Sequence, residues 1–109
     1  MTVAEIDPGI CGFNCIVEVQ AEQSSCSVSI KSDCPGIQSL SDELREVNPF
    51  EQISYRDGIP IVMALAAKHC SHTACPVPAG IVKAIEVEVR LALPADSHIR
   101  LSKIEDQIA

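Results

Sequence analysis

Cysteine and histidine gather at three places in this 109-residue chain: Cys11-Gly-Phe-Asn-Cys15, Ser32-Asp-Cys34-Pro35, and His69-Cys70-Ser-His72-Thr-Ala-Cys75-Pro-Val-Pro78. The pairs Cys11-x3-Cys15 and Cys70-x4-Cys75 fall within the spacing that thiolate pairs use to hold zinc. A [4Fe–4S] or [2Fe–2S] cluster also takes four thiolates, and Cys11, Cys15, Cys34, Cys70 and Cys75 offer one more than that. The expected metal site uses Cys11, Cys15, Cys70 and Cys75, with Cys34, His69 or His72 in reserve and zinc or an iron–sulfur cluster as cofactor. The sixth cysteine, Cys26, shares the apolar phase of its segment with Val28 and Ile30 and reads as core, where a free thiol acts as a small hydrophobe.

A second chemistry suits the same residues. Cys34 and Cys75 each precede a proline that opens a helix, which sets the sulfur near unpaired N–H groups and the positive end of the helix dipole and favours a thiolate. Cys75 is then the nucleophile of a sulfur-transfer or redox protein, Cys70 its resolving partner, and His69 or His72 a proton acceptor. In the plainest alternative the cysteines only pack and the chain is a small binding module.

These loops need elements to hold them. Cys15–Glu22 and Cys26–Ser32 alternate in polarity around a turn at Gln23, Ser24 and Ser25, which predicts an antiparallel hairpin with one buried face. Ile37, Leu40, Leu44 and Val47 recur at helical spacing, from a start at Asp33-Cys34-Pro35 to a stop at Pro49. Asn48–Gly58 reads as a loop with a short extended piece at Gln52–Tyr55. A second helix follows from Ile59, apolar nearly all round.

Ala79–Leu93 fits both a strand and a helix; its length, Pro78 in its first turn and Pro94 at its end favour the helix. His98–Ile104 is expected to be a last strand joining the hairpin. The predicted fold is a two-layer α+β domain spanning residues 1–109, with a small antiparallel sheet (N-terminal hairpin plus C-terminal strand) against about three helices.

Composition narrows the functions. Hydrophobic residues are 47% and charged residues 21% of the chain, a globular balance. The net charge of −7 repels phosphate backbones and anionic membranes, and with Trp absent and aromatics at 3% there are few platforms for stacking bases. No nucleic-acid or membrane partner is expected. The longest apolar stretch, Ile59–Ala67, is about half a membrane span. Nothing at the start reads as a secretory signal, so the expected location is the cytoplasm, where six cysteines mean metal or redox chemistry instead of disulfides. The protein partner is unknown, and the apolar second helix suits a homodimer.

Taken together, GICGFNC, SDCPGIQ, KHCSHTACPVPAGIVKAIE and LALPAD resemble a family of small cysteine-rich proteins of unknown function, found mainly in anaerobic bacteria and archaea. The resemblance runs from about Gly9 to about Asp96 and implies a helix after Pro78. An anaerobic setting favours oxygen-sensitive iron–sulfur or thiol chemistry. Locally, Cys75-Pro76-Val77-Pro78 is similar to the Cys-Pro-x-Pro motif of TusA-like sulfur carriers, which implies a persulfide on Cys75. In those carriers the motif follows the first strand, whereas here it stands two thirds of the way along.

Overall fold

Strands β1 (Thr2–Ile6), β2 (Cys15–Ala21), β3 (Cys26–Ser32) and β4 (Glu46–Val47) form one antiparallel sheet in sequence order, in a computed structural model that describes residues 1–105. The chain is α+β, with helices α1 (Pro35–Glu43), α2 (Ile61–His69) and α3 (Val77–Glu88). The predicted hairpin is present. Glu22 N–H donates to the Ser25 carbonyl at 2.8 Å to close its turn, and Val17 faces Ile30 while Val19 faces Val28.

One face of the sheet is buried because its residues alternate. Cys15, Val17 and Val19 of β2 and Cys26, Val28 and Ile30 of β3 point inward, where Ile37, Leu40, Leu44, Val62, Val77, Ile81, Ala84 and Ile85 cover them. Burying each large aliphatic side chain contributes about 1.5–3 kcal/mol, and that gain holds the helices on the sheet. α3 packs on β1 and β2, α1 packs on β3, and α2 lies against both helices. Gly80 lets α3 settle on β1, since a β-carbon there would meet the Ile6 side chain.

Several expectations are corrected. The sheet's outer strand comes from the N-terminus: β1 pairs Ala4 with Val17 and Ile6 with Cys15, while His98–Ile104 is without regular structure and pairs with nothing among the described residues. The first helix ends at Glu43 with Leu44 as its C-cap, and Val47 belongs to β4. Between Asn48 and Gly58 there is no extended piece but a 3-10 turn at Pro49–Glu51, capped by Asn48 Oδ1, which accepts from Phe50 N–H at 3.0 Å. Finally α2 buries Val62 and Ala66 but exposes Ile61, Ala64 and Ala67, so it is apolar all round without being buried all round.

α3 stops well before Pro94, and the reason is local. Arg90 N–H donates to the Val87 carbonyl and Leu91 N–H to the Glu86 carbonyl, at 3.1 and 2.8 Å, while Arg90 takes a φ of 64°. This pattern is a Schellman motif, which satisfies the last carbonyls of a helix through one left-handed residue. Pro60, at the start of α2, has no capping side chain. Buried Gln52 supplies one, its Oε1 accepting from Val62 N–H at 3.1 Å. Among the described residues no helix is long and apolar enough to cross a membrane.

Candidate thiol site

Three separate segments carry cysteines to one end of the sheet. Cys15 is the first residue of β2 and sits across from Ile6 on one side and Ser32 on the other, in the inward phase. Ser32 ends β3, and its hydroxyl accepts from Cys34 N–H at 3.1 Å, which turns the chain into α1 with Cys34 as the N-cap. Cys70 is the C-cap of α2. Cys75 lies directly before Pro76, the N-cap of α3.

Gly36 brings the second and third segments together. A β-carbon on it would lie 2.7 Å from the His69 carbonyl oxygen and 3.7 Å from Cys70 Cα, so the first turn of α1 touches the last of α2 backbone to backbone. The only side chain that fits here is none.

The electrostatics of the thiols report the same grouping. Burial pushes the Cys15 thiol up to about 11, and negative charge on Cys75 and Cys34 pushes in the same direction. The Cys70 thiol is also raised, first by burial, then by Cys75 and Cys34, and it meets the Cys75 thiol side chain to side chain. Cys15 is fully buried, while Cys34, Cys70 and Cys75 are half-buried at its rim. Each thiolate in such a group opposes the next, and a bound cation reverses that sign, because a coordinating thiol loses its proton outright.

Other residues picked out by the sequence stand apart from this group. Cys11 is exposed in the loop between β1 and β2, on a turn where Gly9 and Gly12 have positive φ and Gly12 N–H donates to the Gly9 carbonyl at 3.0 Å. It is not among the groups acting on Cys15 or Cys70. Cys26 is wholly buried at the other end of the sheet, across from Ala21 and Val47.

His72 is exposed, and its carbonyl closes the turn to Cys75 N–H at 3.2 Å. His69 is half-buried with Nε2 3.2 Å from Glu43 Oε2, a contact that lacks the alignment of a hydrogen bond. Lys68 donates to the same carboxylate at 2.8 Å, and Lys68 first, then His69, holds Glu43 below the ordinary glutamate range. Glu43 thereby ties the end of α1 to the last turn of α2.

Among the described residues, no three His, Cys, Asp or Glu side chains already stand in the geometry of a metal-ligand set. The donor chemistry nonetheless suits zinc or an iron–sulfur cluster, since Cys34 and Cys75 lie close enough to act on both Cys15 and Cys70. What spacing along the chain missed was the place of Cys34; its signal lay in Ser32 and Pro35, which turn a strand end into a helix start beside Cys15.

No curated protein and no solved structure matches this chain. A family profile described as "Family of unknown function" and designated DUF6951 does match, over residues 2–101, and therefore takes in β1, all four grouped cysteines and α3. The chain belongs to that family of unknown function.

Proposed function

We propose that the protein is a metal-binding or iron–sulfur domain whose ligands are Cys15, Cys34, Cys70 and Cys75. The observation that supports this reading is the convergence of four thiols from three segments at one end of the sheet, with Cys75 and Cys34 opposing ionisation of both Cys15 and Cys70. Cys34 replaces Cys11 in the ligand set expected from spacing. Zinc or a cluster would draw the sulfurs inward by rotation of half-buried side chains, and the loop from Cys70 to Cys75 is short enough to follow. Such a site belongs in a reducing compartment such as the cytoplasm, where thiols stay unpaired.

Purification without oxygen, followed by elemental analysis and an absorption spectrum, tests the reading. Roughly stoichiometric zinc, or iron with sulfide and a visible chromophore, is the expected result, together with loss of folded protein on chelation, because tight metal binding couples to folding. A well-folded preparation without metal, unchanged when the four cysteines are replaced by serine, would overturn it and leave a module whose cysteines only pack.

The contact between the Cys70 and Cys75 thiols supports a second reading, thiol chemistry at Cys75. A persulfide donor would pass its outer sulfur to the Cys75 thiolate and leave as a thiolate. Attack by Cys70 on the inner sulfur would then form a Cys70–Cys75 disulfide and release hydrosulfide, which balances. Mass spectrometry should find the added sulfur on Cys75 and, with time, the disulfide. Labelling at Cys75 no faster than at buried Cys26 rules this reading out.

A further inference from the structure

The chain beyond α3 leaves its apolar side chains in water. Leu93, Ile99, Leu101 and Ile104 are 88%, 80%, 91% and 90% exposed. Among the described residues, no backbone hydrogen bond joins residues 93–105 to the folded body. At about 3.3 Å per extended residue, residues 94–105 reach roughly 40 Å. The molecule is elongated, 64 Å in its longest dimension against 29 and 26 Å in the others.

His98–Ile104 has the composition of a strand, with Ile99 and Leu101 in one phase and Arg100 and Ser102 in the other. It carries Arg100 and Lys103 and no acid, in a chain with a net charge of −7.

The sheet has a matching vacancy. β1 is an outer strand, and among the described residues no backbone hydrogen bond reaches its outer side. The opposite edge is covered: β4 pairs with Cys26 and Ser27, the Arg45 carbonyl accepts from Val28 N–H at 2.8 Å, and Ser41 Oγ donates to the Ile30 carbonyl at 3.1 Å. On β1, Ala4 and Ile6 are half-buried on the helix side, while Glu5 is on the open face and Val3 is 50% exposed there.

We propose that His98–Ile104 of one copy adds as a fifth strand to β1 of a second copy, and that the exchange is reciprocal. Ile99 and Leu101 then extend the helix-side face beside Ala4 and Ile6, and Arg100 lies in the phase of Glu5. Strand addition satisfies a row of free N–H and carbonyl groups at once, and a mutual exchange of identical segments closes with two-fold symmetry. The acceptor is a second copy because the chain already turns at residues 89–92, beside Thr2, and still leaves the tail unpaired among the described residues, with Ile99, Leu101 and Ile104 80–91% exposed.

Light scattering on the full chain at micromolar concentration should give twice 11.7 kDa, with and without a chelator, so the result stands apart from the metal reading. A chain ending after Ala95, and the full-length I99E/L101E variant, should both give the single-chain mass with unchanged circular dichroism. Ile99 and Leu101 are 80% and 91% exposed in their own copy, so their substitution removes no core packing. A monomeric full chain, or a dimer that survives both changes, overturns the proposal.

Discussion

The Glu88 carboxylate, in the last turn of α3, accepts a hydrogen bond of 2.7 Å from the backbone N–H of Ala21, the final residue of β2. The same group accepts from Thr2 Oγ1 at 2.8 Å and lies 3.5 Å from the Met1 amino group. One side chain, only 9% exposed, thereby latches the helix to two strands. Glu88 continues the sheet-facing stripe of Ile81, Ala84 and Ile85, and it is polar there because it bonds the ends of two strands.

Glu88→Gln should lower stability by about 2 kcal/mol, the scale of a lost charge-assisted hydrogen bond. The backbone N–H of Ala21, first among several donors, holds the carboxyl below its ordinary value of 4.5. A depressed folded value means that the contribution is complete above pH 4.5 and is lost as pH falls through the folded value. Urea titrations in mild acid should therefore bring wild type and variant together as pH drops.

Cys15 gives the opposite sign at the other end of the scale. Its thiol ionises near 9.0 in an ordinary setting and at about 11 in the fold, so the unfolded chain releases its proton first. Stability should fall as pH rises from 9 to 11, and Cys15→Ala should flatten that fall while costing packing throughout. Thermal melts of metal-free protein under reducing conditions measure both effects.

Gly36→Ala should cost about 1–3 kcal/mol, the scale of overpacking. The new methyl would press on a backbone carbonyl 2.7 Å away, and neither helix can yield without moving Cys34 from Cys70. Under the metal reading the variant should also bind zinc more weakly than wild type at equal folded fraction, as competition with a chromogenic chelator would show.

Arg90→Gly should raise stability by about 1 kcal/mol, because a left-handed backbone costs an L-residue roughly 1–2 kcal/mol that glycine avoids. Arg90 is exposed and takes a φ of 64°, so little else is lost. An unchanged or lower melting temperature would mean that the arginine side chain contributes a contact elsewhere.

Cys11→Ser and Cys34→Ser separate chain spacing from spatial grouping. Under the metal reading the first should leave metal content unchanged and the second should abolish it, since Cys34 lies with Cys15, Cys70 and Cys75 while Cys11 lies in solvent. Elemental analysis of both proteins decides this.

Much of this architecture was legible because burial imprints a period on the sequence. Val17, Val19, Val28 and Ile30 alternate, and Ile37 and Leu40 recur at helical spacing, as their buried faces require. β1 escaped notice because its apolar Val3 faces outward while Thr2, Ala4 and Ile6 face in, a phase that hydrophobicity alone does not show. His98–Ile104 has the alternation of a strand, but a strand also needs a partner, and pairing is not written in one segment. The end of α3 was hidden for a similar reason: a Schellman cap built on arginine lacks the usual glycine. For the thiols, short spacing identified residues near in chain, while strand phase and the turn at Ser32 decided which of them share a space.

The order of the strands bears on how the protein is born. Each strand pairs with its neighbour in sequence, so hairpins β1-β2 and β2-β3 can close as soon as they leave the ribosome. The Thr2–Glu88 latch, by contrast, joins residues 86 apart and must wait for α3. Cys15 and Cys34 are thus placed early and meet Cys70 and Cys75 only at the closing step. Until then a nascent chain presents an uncovered Cys15, and oxidants or stray metal meet it before its proper neighbours do.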